Sequence, residues 1–92
     1  MFVATLQSLI PEYEGNRKVE RWHATAAASD SGPATIMPRF LRQVDNDGVE
    51  IDAFGGSNPS SFAVIGGTQV TIYLPGTDSA TSYQIKLSTK FG

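Results

Sequence analysis

The stretch Ser82-Tyr83-Gln84-Ile85-Lys86-Leu87-Ser88-Thr89-Lys90 alternates strictly between two kinds of side chain. Tyr83, Ile85, Leu87 and Thr89 fall on one side, and polar residues fall on the other. Strict alternation over this length is typical of a strand with one face in a core and the other in water. The stretch therefore predicts β structure in the carboxy-terminal half.

Two further segments upstream follow the same pattern. Residues 68–74 place Val70, Ile72 and Leu74 on one face, and Pro75-Gly76 ends the run. Residues 49–54 alternate in the same way and predict another strand. These segments make a mainly β fold the expected class.

Turn residues predict how these strands connect. Asp45-Asn46-Asp47-Gly48 is typical of a hairpin turn, because Asn, Asp and Gly tolerate positive φ. It predicts a hairpin of strands 39–44 and 49–54, with Val44 opposite Val49 and Phe40 opposite Ala53.

Gly66-Gly67 predicts a second hairpin between 62–65 and the strand at 68–74. A two-residue turn would pair Ala63 with Val70 and leave neither face purely polar. Either both faces of this hairpin are covered, or the connection is longer than a tight turn.

The amino-terminal half leaves helix and strand open over residues 1–28. Residues 1–10 fit a strand or a short helix that ends at Pro11. Residues 17–28 favour a helix, since the run is Ala-rich and Asn16 can cap it. Helical spacing groups Val19, Trp22, His23 and Ala26. As a strand, the same run would group Glu20, Trp22, Ala24 and Ala26.

Together these patterns predict one domain over residues 1–92, with an amino-terminal arm at 1–10. The expected architecture is a small antiparallel β-sandwich or barrel of five to six short strands, with one short helix near 17–28. Residues 29–33 and 55–61 read as surface loops.

Composition narrows the class of function. The 92 residues contain no cysteine and carry a net charge of -2, so neither a disulfide framework nor a basic nucleic-acid surface is expected. Residues 43–85 contain no Lys or Arg, and this acidic part suits contact with a basic partner or with another copy. We expect no signal peptide, transmembrane segment or membrane contact, since the apolar start lacks a basic region and is too short to span a bilayer.

No motif indicates catalysis, a metal or a cofactor. Glu50 and Asp52 point the same way along a strand, but such acids on a polar face are usually solvated. His23 is the only histidine and lacks a nucleophile motif. With Gly48 at the sixth position of an EF-hand loop, Gln43 and Phe54 would stand where acidic ligands are required. A looser calcium site at Asp45, Asp47 and Glu50 is the alternative, and a hairpin turn is the expected interpretation. The chain is therefore expected not to be an enzyme.

Aromatic residues are the best indication of a contact surface. Phe54 and Tyr73 fall on the nominally polar faces of their strands, where exposed aromatics often mark interfaces. Phe2 lies in the apolar arm, and Phe91 forms an apolar tip at the other end. We predict that these four residues contribute to an interface.

Two resemblances extend this interpretation. Leu74-Pro75-Gly76-Thr77, followed by Tyr83-Gln84-Ile85-Lys86-Leu87, resembles a corner of the fibronectin type III module, and Trp22 lies about where that family has its core Trp. That resemblance implies a monomeric sandwich that binds carbohydrate or peptide. The chain as a whole is similar in format to small bacteriophage virion proteins of the capsid-decoration or cement type, being short and cysteine-free with an apolar arm and tip.

The second resemblance implies a structural protein of a virus particle, assembled in the host cytoplasm. Such a protein would stabilise a capsid through symmetric contacts with copies of itself or with a larger shell protein. This is the expected function, and the monomeric binding module is the alternative.

Overall fold

The computed structural model describes residues 2–55, 61–76 and 80–90. Eight strands lie in this part of the chain: β1 Val3–Leu6, β2 Glu12–Glu14, β3 Arg17–Ala26, β4 Ser31–Ile36, β5 Val49–Phe54, β6 Ser61–Ile65, β7 Gln69–Pro75 and β8 Thr81–Thr89. None of the described residues is helical.

The strands form two antiparallel sheets. The large sheet has the order β1-β3-β8-β5, and β2 also pairs with β3. The small sheet has the order β4-β7-β6. One hydrophobic core draws on both sheets, with Tyr83, Ile85 and Leu87 of β8 packed in the same cluster as Val70 and Ile72 of β7. The predicted class, a mainly β fold of antiparallel strands, is confirmed, and of the two predicted architectures the two-sheet arrangement is the one present.

The strand that the alternating stretch 82–90 predicts is central to the large sheet. β8 pairs with β3 on one side and with β5 on the other. Its Tyr83, Ile85, Leu87 and Thr89 are all almost fully buried, as expected. The strands predicted at 49–54 and 68–74 are also present as β5 and β7.

The predicted helix at 17–28 is wrong, because residues 17–26 form strand β3. β3 is hydrogen-bonded to β1 and β2 along one edge and to β8 along the other. A central strand gains backbone pairing and burial on both sides, and these outweigh the intrinsic helix propensity of an Ala-rich run. The strand alternative for this run is the correct one: Glu20, Ala24 and Ala26 are buried, and Trp22 packs against the core.

The strand count also exceeds the predicted five or six. Part of the predicted arm, residues 3–6, forms β1 against β3, and part of the predicted loop at 29–33 belongs to β4. The turn between β3 and β4 is short, and Asp30 N donates to Ala27 O at 3.1 Å. The other predicted loop, 55–61, lies mostly outside the described residues.

The predicted hairpin of 39–44 with 49–54 is wrong as well. The turn at 45–48 exists, with Gly48 N donating to Asp45 O at 2.9 Å, but residues 37–44 are not a strand. β5 pairs with β8, which sets Val49 opposite Leu87 and Ala53 opposite Tyr83. Residues 37–48 instead form a crossing segment that leads from the small sheet to the large sheet.

The second hairpin is present, with a connection one residue longer than a tight turn. Gly66 and Gly67 adopt φ of 62° and 72°, and Thr68 N donates to Ile65 O at 3.2 Å. Ala63 therefore pairs with Thr71 instead of Val70, and Val64 pairs with Val70. Since a shift of one residue exchanges the two faces of a strand, this register places Phe62 and Val64 on the core side with Val70 and Ile72, while the outer side still carries Ile65 and Tyr73.

Candidate functional site

The two outer faces of the sandwich differ in charge. Seven charged side chains of the large sheet point to its outer side. We call this set the charged face: Glu12, Glu14, Arg17, Arg21, Glu50, Asp52 and Lys86. Arg21 lies opposite Lys86, and Lys86 lies opposite Glu50, so the register brings three charges into one row across the sheet.

The cations of the charged face are paired within the chain. Arg21 Nε lies 3.3 Å from Glu12 Oε1, and Arg21 Nη2 lies 2.8 Å from Glu14 Oε2. Lys86 Nζ lies 2.5 Å from Glu14 Oε1 and 3.8 Å from Glu50 Oε2. Both cations at the centre of this face therefore already have acidic partners within the chain.

Hydrogen bonding lowers the pKa of three carboxyl groups in this region. The Ser8 hydroxyl, with Arg21 adding to its effect, lowers the pKa of Glu12. The hydrogen bond from the Lys86 ammonium lowers the pKa of Glu14. The Arg17 guanidinium, 3.1 Å from Asp47 Oδ2, lowers the pKa of Asp47.

These lowered pKa values predict acid sensitivity. A folded-state pKa below the ordinary value, 4.5 for Glu and 3.8 for Asp, adds stability that is present above those values. That contribution is lost as the pH falls through the lower folded-state values. We expect the free energy of unfolding to fall steadily below about pH 4.5, measured by urea titration at a series of pH values.

Two variants test whether the ion pairs cause this loss of stability in acid. Glu14→Gln should flatten the acid limb of the profile, because it removes the carboxylate shared by Arg21 and Lys86. Asp52→Asn removes a carboxylate of the same face that joins none of these pairs, and it serves as the control. Equal flattening by both variants would contradict the assignment.

Two shallow depressions lie on the charged face and are too small for a typical ligand. One, of about 100 Å³, is lined by Arg21, Glu50, Asp52 and Lys86 among others. The other, of about 150 Å³, lies toward Arg17 and Ser88. Small-molecule sites usually enclose about 300–1,000 Å³.

A buried carboxylate fixes the crossing segment. Glu20 is fully buried, and its carboxylate accepts hydrogen bonds from the backbone amides of Arg39 at 2.9 Å and Phe40 at 2.5 Å. The Trp22 indole Nε1 donates to the same carboxylate at 2.5 Å. Three donors compensate the burial of the group, so Glu20 has a structural role in this end of the sandwich.

Asp45 fixes the other end of the crossing segment. Its Oδ1 accepts from Thr89 Oγ1 at 3.2 Å, and its Oδ2 accepts from Lys90 N at 3.0 Å. Arg17 Nη1 lies 3.5 Å from the same Oδ2. Asp45, one of the acids that a calcium site here would use, therefore holds β3 and β8 to the turn.

The outer face of the small sheet carries no charge. None of the residues of β4, β6 and β7 is charged. We call its outward side chains the uncharged face: Ser31, Pro33, Thr35, Ser61, Ala63, Ile65, Gln69, Thr71 and Tyr73. Ile65 is 47% exposed and Tyr73 39% exposed, so the face leaves large apolar groups in contact with water.

The predicted interface residues do not form one cluster. Tyr73 lies on the uncharged face, and Phe54 lies on the outer side of the large sheet, so the two rings point away from opposite sides of the sandwich. Phe2 is half-buried and packs against the core. Phe91 lies outside the described residues.

The residues considered for catalysis lie on two different strands of the large sheet. Glu50 and Asp52 are exposed on β5, and His23 is half-buried opposite Gln84. Among residues 2–55, 61–76 and 80–90, no three His, Cys, Asp or Glu side chains lie close enough to hold a metal ion.

Sequence reasoning missed the role of Glu20 and the absence of charge from one whole sheet. The first follows from placing 17–26 on a strand, which sets Glu20 on the buried side with Trp22. The lack of charge can be recognised only after residues 31–36 are assigned to a strand of the same sheet as residues 61–65 and 69–75.

Comparison of the chain with protein-family models, curated proteins and solved structures gives no match. The described part of the chain contains no helix with the length and hydropathy needed to cross a membrane.

Proposed function

We propose that this protein is a non-enzymatic structural subunit of a virus particle or a similar assembly, and that it binds its neighbours through the uncharged face. The observation that carries the proposal is the complete lack of charge on the small sheet, beside a large sheet whose outer face is densely charged.

Desolvation favours the small sheet as the contact surface. Covering a charge with another protein costs free energy unless it gains a partner of good geometry. The uncharged face has no such charge to desolvate, and it exposes Tyr73 and Ile65, with Met37 just beyond β4. The centres of protein interfaces are likewise poor in charge and enriched in Tyr and Met.

The charged face is the outer side of the sandwich that we expect to remain in contact with water. Its cations are already paired within the chain, and its depressions of about 100 and 150 Å³ hold no room for a typical substrate. An aromatic platform for sugar or peptide would need clustered rings, and Phe54 and Tyr73 lie on opposite outer faces. These features support an assembly role over the monomeric binding module.

The test is to fractionate particles on a density gradient from cells that produce the protein. We expect the chain to sediment with the particles in many copies per particle. Recovery of the chain only in the unassembled fraction would contradict the proposal.

A matched pair of variants assigns the contact to one face. Tyr73→Lys places a charge on the central strand of the small sheet and should reduce the bound copies at least tenfold. Gln84→Lys places the same charge on an exposed position of the central strand of the large sheet, and it should leave the bound copies unchanged. The reverse pattern would place the contact on the charged face.

A further inference from the structure

The edges of the two sheets differ in how well they are protected from pairing with another chain. Natural edge strands are usually protected by charge, proline, bulges or covering segments. β5 carries exposed Glu50 and Asp52, and the edge formed by β1 and β2 carries Glu12 and Glu14. β4 carries Pro33, which lacks a backbone donor.

β6 itself, residues 61–65, lacks the protection that charge or proline gives. Its sequence Ser61-Phe62-Ala63-Val64-Ile65 contains no charge and no proline, and the strand lies at the edge of the small sheet. Phe62 is 43% exposed although it faces the core side opposite Ile72, and Ile65 is 47% exposed on the outer side. An apolar edge that is exposed on both of its faces is suited to pairing with another strand.

The sequence of β6 is complementary to itself in the antiparallel direction. A two-fold axis through Ala63 would set Ala63 opposite Ala63 of the partner subunit and Phe62 opposite Val64 of the partner subunit. Side chains directly opposite one another in an antiparallel pair lie about 5 Å apart, so the partner's Val64 would cover the exposed Phe62 ring. No charge would meet its own copy at this axis, whereas self-pairing through β5 would bring acidic residues together.

We propose that β6 pairs antiparallel with β6 of a second copy of this chain. The two small sheets would join into one sheet of six strands about a two-fold axis. This inference rests on the proposed function, because it names a second copy as one neighbour of the subunit in the assembly.

Sedimentation equilibrium of the full chain over a concentration series tests the pairing. We expect a monomer–dimer equilibrium. Ala63→Lys should raise the dimer dissociation constant at least tenfold, because it sets two lysines directly opposite each other at the axis. Gln84→Lys is the control, because it adds the same charge at an exposed position of β8 in the large sheet, away from the small sheet and its edge strand β6. It should leave the dimer unchanged.

A mixing experiment separates lost pairing from misfolding. Ala63→Lys and Ala63→Glu should each be mainly monomeric, and an equimolar mixture should form heterodimers. Failure of the mixture to dimerise, equal disruption by Gln84→Lys, or a larger oligomer whose formation Ala63→Lys does not change would overturn the pairing.

A wild-type chain that stays monomeric at all concentrations would overturn it too. The proposed function would still stand if that monomer sediments with particles in the gradient experiment, so the two proposals fail separately.

Discussion

Replacing Glu20 with alanine is expected to lower the free energy of unfolding by about 3–5 kcal/mol, because three neutral donors lose their shared acceptor. The substitution leaves the amides of Arg39 and Phe40 and the indole of Trp22 without their acceptor. Each buried donor left unsatisfied costs about 1–3 kcal/mol. The crossing segment would lose its attachment to β3, and the end of the core beneath it would open to water.

Urea unfolding followed by tryptophan fluorescence measures this loss, because Trp22 is the only tryptophan and lies in the network. Glu50→Ala is the matched control: this carboxylate is 70% exposed, and its ion pair with Lys86 is long at 3.8 Å. Exposed pairs contribute about 0–1 kcal/mol. Similar losses for the two variants would show that Glu20 does not hold the crossing segment.

Replacing Gly48 with alanine is expected to cost about 3 kcal/mol or more, at or beyond the upper end of the usual penalty for overpacking. A Cβ at this position would lie 2.2 Å from Ser88 O and 2.9 Å from Ser88 Oγ. Backbone hydrogen bonds hold the two strands at this separation, with Ser88 N donating to Gly48 O at 2.8 Å. The clash is with backbone, so a side-chain rotation cannot relieve it.

Gly15→Ala separates this clash from the ordinary cost of replacing a glycine. Gly15 has φ of 61°, and a Cβ there would meet nothing within 4 Å. Its replacement should cost about 1–2 kcal/mol through backbone strain alone. Chemical denaturation of both variants should therefore rank Gly48→Ala as the more damaging. An equal or reversed order would contradict the close approach of Gly48 to Ser88.

The predictable part of the fold is the part with strict alternation. β5, β7 and β8 each present one apolar face to a single core, and their patterns give the strands directly. β3 was mispredicted because alanine carries little information about which face is buried. Its strand conformation depends on pairing with distant β8, which no local window of sequence contains.

The crossing segment was mispredicted for a different reason. The turn at 45–48 is local and was recognisable, but the partner of residues 49–54 is β8, which is distant in sequence. The path of 37–44 depends on Glu20 and on the bond from Val44 N to Gly67 O, which are tertiary contacts. Local turn chemistry therefore located the turn correctly and gave the wrong strand pairing.

The candidate contact surface was only partly predictable. Tyr73 stood out as an aromatic on a polar face, but Phe54 did so as well, and the structure places them on opposite outer faces. The distinction between the faces required the sheet order, which groups the uncharged strands β4, β6 and β7 together. The order also revealed β6 as an edge, which its sequence alone does not indicate.

Hydrogen exchange of the chain within gradient-purified particles, compared with the free chain at a concentration low enough to keep it monomeric, tests the central claim most directly. If the small sheet is the contact surface, amides of residues 61–65 should exchange more slowly in particles, while those of residues 49–54 at the acidic edge should be unchanged. Protection confined to residues 49–54, or identical exchange of residues 61–65 in both states, would contradict the assignment of the small sheet as the contact surface.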